Sequence, residues 1–69
     1  MRVTFDTTVG MAYIYIDDAT APGAAVRQVT VDDDTGAVLD FDADGRLLGI
    51  ELPIERVHPD LSAMAEQIG

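Results

Sequence analysis

The sequence predicts an α+β fold: an antiparallel β-meander of four to five strands followed by one short C-terminal helix. Three observations carry this reading. Short stretches rich in β-branched and aromatic residues recur through residues 2–52, at the spacing of neighbouring strands. Clusters of Asp, Thr, Gly and Pro, the residues that reverse a chain, separate them. Beyond Pro53 the pattern changes to an apolar stripe at helical spacing.

In order, Arg2 to Phe5 alternates polar and apolar residues as a half-buried strand does. Asp6 to Gly10 reads as a turn, with Asp6 and Thr7 able to bond local backbone. Met11 to Ile16 forms the second strand, with Met11, Tyr13 and Tyr15 on one face and Ala12, Ile14 and Ile16 on the other. Neither face is polar, so both need cover. Asp17 to Ala25, broken by Pro22-Gly23, is a loop. Val26 to Val31 is the third strand, and Asp32 to Gly36 a polar turn. Val38 to Phe41 and Leu47 to Leu52 are the last two strands. Parallel pairing needs a crossover of about a dozen residues, and only the loop from Asp17 to Ala25 approaches that length, so an antiparallel sheet is expected.

The turn between the last two strands is the clearest local signal. Asp42-Ala43-Asp44-Gly45 suits a hairpin, with Asp42 capping the turn and Gly45 supplying the positive φ. Asp42, Asp44, Gly45 and Gly49 are the residues assigned to this turn region. Pairing Asp42 with Arg46 then sets Phe41 by Leu47, Asp40 by Leu48 and Val38 by Ile50. Pro53 cannot donate a backbone hydrogen bond and ends the ladder after Leu52. After a linker at 53–58, His58-Pro59-Asp60 opens a helix over about 59–68. Leu61, Met64, Ala65 and Ile68 form its stripe, which must dock on the sheet or a partner.

The same hairpin spells a second pattern. Asp40, Asp42, Asp44, Gly45 and Glu51 occupy the ligand and glycine positions of an EF-hand loop, which makes the four carboxylates candidate calcium ligands. An EF-hand needs a helix on each side, whereas these residues are flanked by strands. The expected register also points Glu51 away from Asp40 and Asp42. The plain turn is therefore preferred, and no metal or cofactor is expected. His58 and Ser62 lie four apart but have no third group to complete a nucleophilic unit. Without Cys or Lys, and with one His and one Ser, the chain is not expected to be an enzyme.

Length and charge bound the rest. The 69 residues make a single domain near the lower limit for independent folding, where about 60% of the unfolded surface is buried. With no disulfide available, self-association is a natural further source of stability, and a homodimer is expected. No apolar run reaches membrane-spanning length and no signal peptide is visible, so the expected location is the cytoplasm. Thirteen acidic against four basic side chains, net −9, disfavours nucleic acid and suits a basic protein partner.

Phe5 to Ile14 resembles the opening of the small bacterial family catalogued as domain of unknown function 2283, which runs Tyr-Asp, turn residues, then Asp-x-Leu-Tyr-Ile. Leu39 to Leu52, with Asp40, Asp42, Gly45, Gly49, Ile50 and Glu51, is similar to its second signature, an Asp-rich turn followed by Gly-Ile-Glu. Gly10 and Ala12 depart from the family's Asp and Leu. The resemblance implies a compact β-sheet domain and no catalytic residues. Its members are suspected of being antitoxin-like, which implies a module that masks a basic partner. The alternative function is a small metal- or ligand-binding protein using the segment Asp40 to Glu51.

Overall fold

The structure, a computed structural model, describes residues 1–20 and 23–69. Six strands form one sheet: β1 (Arg2–Asp6), β2 (Met11–Tyr15), β3 (Arg27–Thr30), β4 (Val38–Phe41), β5 (Leu47–Pro53) and β6 (Ala65–Ile68). A 3-10 turn at Ile54–Arg56 and a single-turn helix α1 (Pro59–Ser62) separate the last two. Among the described residues, no helix is long and apolar enough to cross a membrane.

The strand order is β3-β4-β5-β2-β1-β6, so the sheet is a mixed one and not a four- to five-strand antiparallel meander. The hairpin β1–β2 and the meander β3–β4–β5 join through an antiparallel β2–β5 pair, and β6 runs parallel to β1. The expected antiparallel order rested on reading 59–68 as a helix, which left only the loop from Asp17 to Ala25 near crossover length. Here β5 and β6 flank β2 and β1, and residues 54–64 supply the crossover between them.

The expected helix over 59–68 is corrected for the same reason. Its stripe is severed: Leu61 stays in α1, whereas Ala65 and Ile68 belong to β6, where Ala65 pairs with Val3 and Ile68 with Asp6. Met64 and Ile68 are 46% and 48% exposed, so no apolar stripe docks. A short isolated helix is marginal, while the outer edge of β1 would otherwise present free N–H and C=O groups. Pairing that edge is the better use of the segment.

One face carries the core. The registers set Val29, Leu39, Ile50, Ile14, Val3 and Ala65 in a row across all six strands. Val3, Ala12 and Ile14 are buried, and so is Val57 in the crossover. Burying that face requires a second layer. The segment that must pass over β2 and β1 supplies it, leaving the other face open.

At the β4–β5 hairpin, Asp42 N–H donates to the Arg46 carbonyl at 2.9 Å and Gly45 N–H to the Asp42 carbonyl at 3.0 Å. Gly45 has φ +80°, as the turn requires. Phe41 pairs with Leu47 as expected, but a bulge between Asp40 and Phe41 shifts the register beyond it. Asp40 pairs with Gly49 and Val38 with Glu51, where the simple count set them by Leu48 and Ile50. A one-residue slip exchanges the faces of a strand. Glu51 therefore lies on the Asp40 face, not on the opposite one. Gly49 sits inside β5 and belongs to no turn.

Candidate functional site

The open face is built from the residues that alternate with the core row. One row reads Gln28, Asp40, Gly49, Tyr15 and Arg2 from β3 to β1, and the next reads Thr30, Val38, Glu51, Tyr13, Thr4 and Glu66 from β3 to β6. Such a mixture of aromatic and charged groups is unlike the apolar row beneath it.

Gly49 organises this face. A Cβ built on it would lie 2.5 Å from the Tyr13 hydroxyl oxygen and 2.6 Å from Tyr13 Cζ, so the tyrosine ring crosses β5 over bare backbone. A glycine within a strand marks such a close approach. Crossing β5 brings the phenol from β2 to β4, where it donates to Asp40 Oδ2 at 2.5 Å. Gln28 Nε2, from β3, donates to Asp40 Oδ1 at 2.9 Å. Asp40 is only 7% exposed, and each of its oxygens has a donor, as a buried carboxylate requires. Burial, and then the hydrogen bond to Asp40, raise the Tyr13 pKa well above the ordinary phenol value, so the hydroxyl stays protonated and donating.

Tyr15 stacks beside Tyr13 with ring centroids 4.6 Å apart and planes tilted by 55°. The Arg2 guanidinium lies over Tyr15, 4.2 Å from the ring centroid, in cation–π geometry. Among the described residues the buried Nε of Arg2 has no acceptor. The two tyrosines form a ridge between two hollows. One, of about 350 Å³, is lined by Arg2, Tyr13, Tyr15, Asp40 and Leu48, together with loop residues Thr20 and Gly23 to Ala25. The other, of about 300 Å³, has Met11, Val9 and Ile68 beside the tyrosines and the side chains of Asp6 and Glu51 at its margin.

The candidate calcium ligands are placed as follows. Asp40 is engaged with Tyr13 and Gln28. Asp42 Oδ1 accepts from the backbone N–H groups of Asp44 and Arg46, both at 2.9 Å, and caps its own turn. Asp44 is exposed and lies 3.8 Å from Arg46. Glu51 borders the second hollow, away from the turn. Among the described residues, no three Asp, Glu, His or Cys side chains converge in a metal-binding group. His58 Nδ1 accepts from the Asp60 N–H at 3.1 Å and caps α1. In the Asp32 to Gly36 turn, the Thr35 N–H at 2.7 Å holds the Asp32 carboxyl below the usual range.

The contact of Tyr13 with Asp40 across Gly49 was not foreseen from the sequence. Its signal was present, a glycine amid the apolar run of β5. The partner of that glycine, however, lies 36 positions away on β2.

A family model described as "Protein of unknown function (DUF2283)" matches residues 2–52. The chain belongs to this family. No curated protein and no solved structure matches it. The DUF2283 span runs from the start of β1 to Leu52 in β5, so it contains Arg2, Tyr13, Gln28, Asp40 and Gly49. The crossover and β6 lie beyond it.

Proposed function

We propose that this DUF2283 domain is a protein-binding module whose open sheet face receives a basic partner. The observation that carries the reading is the hollow edged by Asp6 and Glu51, with Met11, Ile68 and the tyrosine rings inside it. A Lys or Arg side chain has the complementary form, an apolar stem with a cationic head. Its stem would lie against Met11 and Ile68, and its head would meet the carboxylates and an aromatic face. A net charge of −9 with no Lys would speed the encounter with such a partner. Masking a basic toxin is the specific form this reading takes for an antitoxin-like domain.

A homodimer through the same face would be isologous. It would bring together two chains that each carry a net charge of −9. The heterologous partner is therefore the better fit to this surface.

The test is an NMR titration with an arginine-rich peptide, using a neutral peptide of equal length as control, alongside light scattering of the free protein. Saturable shifts are expected at Met11, Tyr13 and Glu51. The double variant Asp6→Asn, Glu51→Gln should weaken binding by about fivefold or more, the scale of two partly exposed charge pairs. Equal binding of the neutral peptide, an unaffected double variant, or a free protein already dimeric through this face would each overturn the proposal.

A further inference from the structure

The first hollow has the opposite chemistry to the second. Arg2 is one of only four basic side chains in the protein, and it stands half-buried in a cleft of about 350 Å³. Among the described residues it makes no hydrogen bond or ion pair, and its Nε is closed off from solvent without an acceptor. One N–H of this guanidinium is thus buried without an acceptor, which is unfavourable, and among the described residues no carboxylate pairs with its Nη groups. Asp40 lines the same cleft but forms no ion pair with Arg2, its two oxygens accepting instead from the neutral groups of Tyr13 and Gln28.

Stacking on Tyr15 fixes one flat face of the guanidinium. The N–H groups radiate in the plane of the group, so stacking leaves the terminal edge open. A carboxylate seated end-on against the two Nη groups is the planar, bidentate match to that edge. Tyr15, Leu48, Ala24 and Ala25 give the cleft an apolar wall that fits a small hydrocarbon body, while Thr20 and Asp40 are polar members of its lining. The volume lies at the lower end of those that hold small molecules.

From this geometry we infer that the cleft at Arg2 is a binding site for a small amphipathic monocarboxylate. The carboxylate sits on the guanidinium and the apolar body lies against Tyr15 and Leu48. This site lies across the tyrosine ridge from the hollow assigned to a basic partner, and it stands whether or not that assignment does.

Benzoate is a suitable probe, with benzyl alcohol as its neutral counterpart of similar shape. In an NMR titration, benzoate should produce saturable shifts at the Arg2 Nε–H and at the amides of Tyr15 and Leu48, with a dissociation constant on the order of 1 mM. Benzyl alcohol should bind at least about tenfold more weakly, since it lacks the charge that Arg2 requires. Arg2→Gln, checked for a native amide spectrum, should lose benzoate binding by a similar factor. The benzoate and benzyl alcohol comparison uses the unmodified protein, so it decides the matter even if that variant fails to fold. Equal affinity for the two probes, or no saturation with benzoate at about ten times the expected dissociation constant, would overturn the inference.

Discussion

Replacing Gly49 by Ala isolates the contact that organises the open face. Gly49 has no positive φ, so its backbone tolerates a side chain. On backbone grounds alone, Gly→Ala at such a position stabilises by about 0.4–1 kcal/mol, through the lower entropy of the unfolded chain. Here the new methyl would stand 2.5 Å from the Tyr13 oxygen and 2.6 Å from Cζ, well inside van der Waals contact. The ring must lift, and the bond from its hydroxyl to Asp40 is lost. A hydrogen bond to a charged acceptor contributes about 1.5–3 kcal/mol, and the buried carboxylate would keep only Gln28. Subtracting the entropic gain leaves a net destabilisation of about 1.5 kcal/mol, before any further strain from overpacking. For a domain of this size that corresponds to a fall in Tm of about 6–12 °C. Thermal unfolding followed by circular dichroism measures it directly. The control is the same substitution in a Tyr13→Ala background, where the methyl has no ring to displace and should be neutral or slightly stabilising. The two sites should therefore couple by about 2 kcal/mol in the cycle. A Tm for Gly49→Ala equal to or above that of the parent protein would refute the crossing of Tyr13 over β5.

Two further outcomes test the same architecture. Tyr13 has its pKa raised in the folded state, so the protonated phenol stabilises the fold fully below the ordinary value of 10.0. That contribution should decline as pH rises above 10, where the unfolded chain releases its proton first, and vanish as pH passes through the folded value. Chemical denaturation between neutral and strongly alkaline pH should show this loss in the parent protein and not in Tyr13→Phe. A parallel decline in both would remove Tyr13 as its source. Gly45→Ala should cost about 1–2 kcal/mol in chemical denaturation, because φ is +80° while the added Cβ meets nothing within 4 Å. An unchanged midpoint would be incompatible with the left-handed turn.

Much of this molecule is decided by residues close together in the chain. The strand character of Met11–Tyr15, the Asp42 to Gly45 turn and the capping of Asp60 by His58 involve groups two to four positions apart. Side-chain reach and backbone φ preferences are enough to specify them. The division of β2 into an aromatic face and an aliphatic one follows as directly from alternation. Net charge is likewise a property of composition alone.

Strand order, register and the assembled site belong to the tertiary structure. Nothing local distinguishes β5 from β3 as the neighbour of β2; the choice depends on which pairing completes the row from Val29 to Ala65. The bulge at Asp40 adds one residue and turns Glu51 to the Asp40 face, an outcome that depends on packing across three strands. The last segment has a pattern compatible with either a helix or a strand, and the open edge of β1 decides for β6. Tyr13, Gly49 and Asp40 meet only after β2, β5 and β4 are in place, because a hydrogen bond of 2.5 Å between residues 27 apart requires a register that local preferences cannot set.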